Sequence, residues 1–530
     1  MAHAARQLNR AGLGLLALAP VGFLAVFFAW PVVAILRRGF RAGLLTSLTD
    51  DETWRLAGFT VGQAAASTVL AVLAGMPVAY VLARVRLPGA GLVRTLVLVP
   101  FVLPTVVVGL AFRALWPDGG LAAIVLANAF FNVAVVARTV AGLWAHLDVR
   151  AEEAARALGA SWWRAFRSVT LPALLPAITS SAAVVFLFCA TSFGVVLILG
   201  GARYRTLETE IYLRTENLLD LTGAAALSLV QITAVLAALA VGALARGRRE
   251  TASRLRARVE TARRPSGGEW WVVGAAAAVL GLLFTPVVAL LLRASPAGFR
   301  ALSGTGNNGT LQVSGWAAAM NSLRTATDAT LLALIIGISA SVLVATLRRA
   351  PGRVSHGLAE TMDGALMLPL GVSAVTIGFG YLITLDALPG DLRTSPLLVP
   401  LAQALVIIPM VVRMVLPVLR SVDERLRQAA ATLGASPPRV WREVDLPLSL
   451  RSVVAAAGFG YVVALGEFGA TSFLARPQAP TLPVAIASLI ARPGALNNQM
   501  AYAACAMLML VTVAAVAVID RLGAGRIGEF

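Results

Sequence analysis

Twelve apolar segments follow one another along this chain of 530 residues, and they constrain its fold more than any other feature. Each is about 20 residues or longer, enough for a helix to cross the roughly 30 Å hydrocarbon core of a bilayer. The chain is 58% hydrophobic and only 13% charged, whereas soluble domains carry about 25% charged residues. The sequence therefore predicts an all-α, polytopic membrane protein with about 12 transmembrane helices. The segments are 13–36, 58–83, 92–114, 121–145, 174–200, 222–245, 271–292, 323–347, 362–385, 396–419, 449–474 and 500–519.

The charges are distributed as in a membrane protein and not as in a nucleic-acid-binding one. The formal net charge is +18, and every basic side chain is an arginine. The arginines lie mainly in short loops between apolar segments, and such loops are cytoplasmic under the positive-inside rule. This predicts a multi-pass protein of the cell (plasma or inner) membrane with both termini cytoplasmic and no nucleic-acid partner. The predicted cytoplasmic loops hold Arg84, Arg86, Arg94, the arginines of 246–264, Arg348, Arg349, Arg353, Arg521 and Arg526, whereas Arg37, Arg38, Arg41, Arg203, Arg205 and Arg214 depart from the rule.

The polar loops contain no recognisable catalytic or metal-binding set. A nucleotide-binding loop of the form Gly-x-x-x-x-Gly-Lys-Ser/Thr needs a lysine, and this chain has none. His3, His146 and His356 have no neighbour at metal-ligand spacing. The sequence therefore predicts a protein that is not an enzyme, holds no cofactor or metal, and does not hydrolyse ATP itself. Cys189 and Cys505 fall inside apolar segments, which predicts buried thiols.

One stretch of the chain occurs twice at a constant shift. Residue 153 aligns with residue 428, and the alignment continues without a gap to residues 172 and 447. The matched pairs include Gly159 and Gly434, Leu171-Pro172 and Leu446-Pro447, and Phe193-Gly194 and Phe468-Gly469. Such self-similarity indicates an internal repeat. We therefore predict two tandem copies of six spans each, which enter the membrane in the same direction and enclose a pathway between them.

The predicted organisation has three parts. The first repeat covers 1–245 and carries its polar loop at 149–172. A basic cytoplasmic linker covers 246–268, and it includes the flexible sequence Arg-Arg-Pro-Ser-Gly-Gly. The second repeat covers 269–530 and carries its loop at 423–447.

The repeated loop has the local chemistry of two short helices joined by a glycine. A helix over 149–158 is predicted to end at Gly159, because glycine adopts positive φ at helix ends. Ser161 is predicted to cap the next helix, and Ser436 to do so in the second copy. Leu171-Pro172 and Leu446-Pro447 are predicted to stop this element and begin the next span.

The two loops resemble the EAA loop of the permeases of ATP-binding-cassette importers, in which Glu-Ala-Ala precedes a glycine by three residues and a Leu-Pro follows. The first loop matches this pattern, and the second has glutamine in place of the glutamate. The resemblance implies the type I importer permease fold and the function of a membrane-spanning permease subunit. Its implied partners are a cytoplasmic ATPase dimer, an extracytoplasmic substrate-binding protein, and a small-molecule or ion substrate. The residues implied to couple to the ATPase are Glu153, Ala154, Ala155, Gly159, Ser161, Gln428, Ala429, Ala430, Gly434 and Ser436.

Other segments resemble permeases for particular substrates. The sequences TSFGVVLILGG at 191–201, TLETEIY at 206–212 and LGEFGATSFLARP at 465–477 resemble fused two-domain permeases of thiamine and of ferric iron. The resemblance implies thiamine first and ferric iron second as the transported substrate.

Glu467 is the one acidic side chain predicted to lie well inside a span, where a charge is costly. Its repeat counterpart is Ser192. Two interpretations stay open at this point: these residues line the translocation pathway, or they shape the structure by pairing with neighbouring helices. The candidate pathway residues are Thr191, Ser192, Phe193, Glu467 and Phe468.

Two other classes of protein have the same general architecture. A secondary active transporter also has twelve spans in two parallel halves, but it keeps its coupling groups within the spans. Here the strongest repeat is a polar loop, which favours the importer permease. A membrane-embedded enzyme is disfavoured because the loops hold no catalytic set.

Overall fold

The fold is described from a computed structural model of the chain. The structure describes residues 14, 16–41, 49–86, 96–97, 99–247, 264–265, 267–304, 311–350, 352–384 and 395–521. Most of the linker predicted at 246–268 lies outside the described residues, as do Arg94 and Arg526.

The described residues of the first repeat are mostly helical. Its helices are α1 (Leu16–Phe40), α2 (Asp51–Arg84), α3 (Thr105–Leu115), α4 (Leu121–Trp144), α5 (Arg150–Ala157), α6 (Trp162–Ala190), α7 (Gly194–Leu199), α8 (Leu207–Glu216) and α9 (Leu221–Gly247). Within α6, residues Phe166–Thr170 form a π turn.

The second repeat contains the same series of elements and, among the described residues, two further helices, one before and one after its second long helix. Its helices are α10 (Glu269–Arg293), α11 (Pro296–Ser303), α12 (Gly315–Arg349), α13 (Arg353–Gly371), α14 (Ala374–Thr384), α15 (Leu398–Ser421), α16 (Glu424–Thr432), α17 (Pro438–Gly466), α18 (Thr471–Leu474), α19 (Leu482–Ala491) and α20 (Ala495–Arg521). Within α17, residues Trp441–Asp445 form a second π turn.

The all-α, polytopic fold predicted from the sequence is confirmed, and the number of straight spans is slightly lower than twelve. Among the described residues, ten helices are long and apolar enough to cross a membrane, and one bent pair would make eleven. The segment predicted at 362–385 is that pair, α13 and α14, which meet at 96°. The segment predicted at 92–114 contains the short helix α3.

The third apolar segment of each repeat is broken for identifiable reasons. Pro104 directly precedes α3, and a proline disfavours helical conformation in the residue before it. Before α14, the Ser373 hydroxyl accepts a hydrogen bond from the Thr376 N–H at 3.0 Å, which caps a new helix start. The sequence prediction of single spans failed here because hydropathy does not register such breaks.

The chain forms two compact units, which do not coincide with the two sequence repeats. One unit comprises Met1–Leu44, Ile211–Leu229 and Ala297–Phe530, and the other comprises Leu45–Glu210 and Val230–Pro296. The first helix of each repeat is therefore exchanged into the unit that holds most of the other repeat.

Particular contacts hold these two exchanged helices. In the unit that holds most of the second repeat, α1 packs closely on α14, since a Cβ at Gly380 would lie 2.8 Å from Pro31. In the other unit α10 packs on α2, where the Tyr80 hydroxyl donates to the Glu269 carboxylate at 2.8 Å.

Each unit contains the same glycine-mediated helix pair. In one unit α2 packs on α4, and a Cβ at Gly75 would lie 2.8 Å from Val136 Cγ1. In the other unit α12 packs on α15, and a Cβ at Gly337 would lie 2.7 Å from Val411 Cγ1. Val136 and Val411 are counterparts at the shift of the repeat. Small residues let helices approach closely in a membrane, so these glycines set the spacing of both pairs.

We expect Gly75→Val and Gly337→Val each to destabilise the protein by about 1–3 kcal/mol, because the added side chain overpacks a closed helix interface. The measurement is thermal denaturation of the purified protein in detergent. The control is Gly142→Val in α4, where an added Cβ meets nothing within 4 Å. Equal melting temperatures for all three variants would contradict this packing role.

Candidate coupling loops

The first loop is built around a short helix that ends at a glycine with positive φ. The Asp148 carboxylate accepts a hydrogen bond from the Arg150 N–H at 3.0 Å at the start of α5. The helix ends at Gly159, whose φ is +92°. The Ser161 hydroxyl then accepts from the Arg164 N–H at 3.3 Å and caps α6. The helix, the glycine break and the serine cap predicted from the sequence are all present.

The second loop has the same backbone. Asp423 accepts from the Arg425 N–H at 3.0 Å at the start of α16, and Gly434 has φ +84°. In both loops the residue after the glycine donates to a carbonyl five residues earlier: Ala160 to Ala155 at 3.1 Å and Ala435 to Ala430 at 3.0 Å. These bonds satisfy carbonyls that a helix end leaves open. In the second loop the Ser436 carbonyl accepts from the Arg439 and Val440 N–H groups.

The prediction that the Leu-Pro pairs stop the loop element is wrong. Leu171-Pro172 and Leu446-Pro447 lie within continuous helices, α6 and α17, immediately after their π turns. The carbonyl of Phe166 accepts from the Leu171 N–H, five residues on, and Trp441 and Leu446 form the same bond. A proline ring clashes with the carbonyl four residues before it in a regular α-helix. The wider π turn accommodates each proline without ending the helix.

The predicted coupling residues lie on the surface of both loops. Eight are exposed, namely Glu153, Ala154, Gly159, Ser161, Gln428, Ala429, Gly434 and Ser436, and Ala155 and Ala430 are half-buried. Sequence reasoning missed Leu158 and Leu433, which directly precede the two glycines and are 90% and 88% exposed. The signal for them in the sequence is a leucine immediately before the glycine in both copies of the loop. Both side chains therefore lie at the surface of their loops.

Sequence reasoning also missed a link between each loop helix and the π turn that follows it. In the first loop the Thr170 hydroxyl donates to the Glu152 carboxylate at 3.0 Å. In the second, Arg427 Nε donates to Asp445 Oδ1 at 2.8 Å. The shift of the repeat carries Glu152 to Arg427 and Thr170 to Asp445. The same two positions are therefore joined in both loops by different chemistry. We call them the loop braces.

In the second brace, the Arg427 guanidinium has further hydrogen-bond acceptors besides Asp445. Arg427 also donates to the Glu424 carboxylate at 3.0 Å and to the carbonyls of Val422 and Leu419 at 3.1 and 3.2 Å. Burial by itself lowers the pKa of this guanidinium, but hydrogen bonds and charge attraction to Asp445 and Glu424 outweigh it and raise the pKa. The Arg427 guanidinium therefore keeps its charge at every physiological pH.

The candidate pathway residues lie in two matched breaks between helices. Thr191, Ser192 and Phe193 separate α6 from α7. Glu467 follows the end of α17 with an extended backbone, and Phe468 lies between it and α18. The prediction that Glu467 lies inside a continuous span is therefore wrong. The reason is local bonding: its carboxylate accepts from the N–H groups of Ala470 and Thr471 at 2.7 and 3.1 Å and from the Thr471 hydroxyl, which starts a new helix.

Both breaks are tied to the fourth span of their repeat by buried polar side chains. The Ser192 hydroxyl donates to Asn128 Oδ1 at 2.7 Å, and Asn128 Nδ2 donates to Gln63 Oε1 at 2.9 Å. In the second repeat Gln403, the counterpart of Asn128, donates to the Thr471 hydroxyl at 3.3 Å. Buried polar side chains at membrane depth are costly unless paired. These pairs hold the two breaks in defined positions. Cys189, predicted to be buried, is buried beside the first of these networks, and Cys505 is buried in α20.

Comparison with known proteins identifies the class to which this architecture belongs. Residues 71–250 and 333–527 each match the family described as "Binding-protein-dependent transport system inner membrane component". The chain is 27% identical over 501 residues to the thiamine transport system permease protein ThiP of Brucella abortus (strain 2308), covering 90% of this chain and 89% of the relative. ThiP of Escherichia coli (strain K12) is 25% identical over 509 residues, covering 89% and 90%. The molybdenum transport system permease protein ModB of Mycobacterium tuberculosis (strain ATCC 25618 / H37Rv) is 36% identical over 242 residues, covering 41% of this chain and 89% of the relative.

The duplicated loops and the two family matches define a permease with two fused membrane domains. The chain belongs to the family of binding-protein-dependent transport system inner membrane components. The predicted resemblance to fused permeases of the thiamine type is confirmed, since the ThiP relatives match along nearly the whole chain. The protein is a multi-pass inner-membrane transport component, and its relatives are named transport system permease proteins.

Proposed function

We propose that this chain is the permease subunit of an ATP-binding-cassette importer and that its two loops dock on a separate cytoplasmic ATPase dimer, one loop on each copy. The observation that carries the proposal is the pair of exposed loops with the same helix, the same positive-φ glycine and the same π turn at matching positions of the repeat. A symmetric dimer presents two like surfaces, and two like loops on one chain match such a partner. The exposed coupling residues, with Leu158 and Leu433, would form the contact.

The proposal fixes the direction of the chain in the membrane. Both loops and both termini lie on the cytoplasmic side, in agreement with the arginine-rich loops and the positive-inside rule. An extracytoplasmic binding protein delivers the substrate to the opposite face. Energy for transport comes from ATP hydrolysis on the partner chain, because this chain has no lysine with which to build a nucleotide-binding loop.

We propose thiamine as the substrate. The support is that relatives matching about nine-tenths of this chain are named thiamine transport system permeases. The ModB relative matches 41% of the chain, so its name is a weaker guide to substrate. Ferric iron, the second substrate suggested by the sequence, rests on the resemblance of short segments.

We further propose that the two matched breaks shape the translocation pathway. They comprise Thr191, Ser192 and Phe193 in the first repeat and Glu467 and Phe468 in the second. Both oxygens of Glu467 accept hydrogen bonds from its own chain. Its proposed contribution is therefore to hold the break in position. The Thr191 hydroxyl likewise donates to the Leu187 carbonyl at 2.9 Å, and this side chain is only partly buried.

Reconstitution in proteoliposomes tests this function. Uptake of radiolabelled thiamine would be measured with and without an ion gradient. Three preparations would be compared: the permease alone, the permease with ATPase, and the permease with both ATPase and thiamine-binding protein. We expect uptake only with the full set and ATP, and no response to the gradient. Gradient-driven uptake by the permease alone would favour a secondary transporter and overturn the proposal. Ferric iron and molybdate serve as alternative substrates in the same assay.

A further inference from the structure

The loop braces join the same two positions in both repeats with different side chains. In the first pair the neutral Thr170 hydroxyl donates a hydrogen bond to the Glu152 carboxylate. The second is an ion pair between Arg427 and Asp445. The sign of the charge on the loop helix is reversed between the copies, from Glu152 to Arg427. What the two copies share is the physical link and not the residue type. A link that is present in both copies with unrelated chemistry points to a mechanical requirement at this place.

The position of the braces fits such a requirement. Each connects the loop helix to the last residue of a π turn, near the start of the long helix α6 or α17. A π turn is a local departure from α-helical hydrogen bonding and often marks a functional site. Without a cross-link, the glycine between the two helices would let the loop helix turn without moving the span. The brace connects the two helices across this glycine and restricts that rotation.

In the second loop, Arg427 contacts several neighbouring elements. Its guanidinium contacts the loop helix through Glu424, the π turn through Asp445, and the end of α15 through the carbonyl of Leu419. Arg427 is 8% exposed and Asp445 is 7% exposed. Buried ion pairs contribute little net stability compared with apolar packing, but breaking one leaves an uncompensated charge. Such a pair is better suited to fixing one geometry than to stabilising the fold.

We infer that Glu152–Thr170 and Arg427–Asp445 are positioning pairs that lock each coupling loop to its following span, so that displacement of the loop moves the helix. The inference rests on the proposed docking of the loops on an ATPase. Substituting a brace should leave docking intact and weaken the transfer of movement into the membrane.

The test compares brace variants with a matched control in the reconstituted complex of permease, ATPase and binding protein. The brace variants are Arg427→Met, Asp445→Asn and Thr170→Val, and the control is Arg425→Met, an exposed arginine on the same loop helix. We expect each Arg427 or Asp445 variant to retain the ATPase on purification but to lower thiamine uptake per ATP hydrolysed by about tenfold or more, because a buried charge loses its partner. Thr170→Val should give a smaller loss, about threefold, since one hydrogen bond is removed. The control should match the wild type.

A transplant separates positioning from simple loss of a favourable contact. Glu152→Arg alone removes the first brace, whereas Glu152→Arg with Thr170→Asp rebuilds it in the form found in the second copy. We expect the double variant to recover most of the uptake per ATP that the single variant loses.

Several outcomes would overturn the inference. Uptake per ATP unchanged in Arg427→Met and Asp445→Asn would do so, as would failure of the transplant to recover the loss. If the Arg427 and Asp445 variants do not reach the membrane, the inference is tested by uptake per ATP in two other variants. These are Thr170→Val and the double variant Glu152→Arg with Thr170→Asp. A wild-type permease that retains no ATPase at all overturns the proposed function, and this inference with it.

Discussion

Replacing both Gly159 and Gly434 with valine is expected to reduce ATP-driven uptake strongly while the protein still inserts into the membrane. Their φ values of +92° and +84° lie in the left-handed region. An added Cβ meets nothing within 4 Å at either glycine, so the cost is backbone strain and not a clash. That strain is roughly 1–2 kcal/mol for each residue with a side chain and larger for a β-branched one. Every 1.4 kcal/mol is about tenfold in population, so the two strained turns together should reduce uptake about 100-fold.

The control for this double variant is asparagine at the same two positions. Asparagine enters the left-handed region more readily than valine, so Gly159→Asn with Gly434→Asn should retain most of the uptake. The measurement is thiamine uptake per ATP hydrolysed in proteoliposomes, with membrane content measured on the same preparation. Normal transport in the valine variant would count heavily against a docking role for the loops.

Replacing Glu467 with alanine is expected to destabilise the protein by about 3 kcal/mol or more, because two backbone N–H groups and one hydroxyl lose their acceptor in a buried site. The three donors are those of Ala470 and Thr471. The measurement is thermal denaturation in detergent alongside uptake. Uptake should fall in step with the amount of folded protein, since we propose that Glu467 holds the break and does not bind the substrate.

Two variants serve as controls for Glu467. Ser192→Ala removes a single hydrogen bond, to Asn128, from the matched break of the first repeat. It is expected to cost only about 1 kcal/mol. Glu467→Gln keeps an acceptor oxygen and should be more stable than Glu467→Ala. A Gln variant with full stability but no uptake would show instead that the carboxylate acts directly on a cationic substrate.

Local chemistry made the loops predictable from the sequence. A glycine at a helix end and a serine two residues later each favour a particular local backbone conformation. Gly159 has the predicted positive φ, and Ser161 forms the predicted cap. The apolar segments were equally informative, because a bilayer requires about 20 residues for each span. Because the repeat has a constant shift, the prediction made for the first loop also applies to the second.

Long-range pairing was not predictable from one sequence. The braces join residues 18 apart, and nothing local indicates that Glu152 meets Thr170 or that Arg427 meets Asp445. The exchange of α1 and α10 between the compact units depends on packing against distant helices. The breaks at Ser373 and Glu467 were missed because hydropathy averages over the short polar turns in which these side chains cap new helices.

Photo-crosslinking from the loops of the assembled transporter tests the central claim most directly. A photoreactive amino acid at Leu158 or Leu433 would be activated in the complex with ATPase and binding protein, and the same probe at Leu219 would serve as the control. Leu219 is also exposed, at 77%, and lies in a loop predicted to face outward. The account predicts crosslinks from Leu158 and from Leu433 to the ATPase and none from Leu219. Crosslinks to the ATPase from Leu219, or none from either loop, would contradict it.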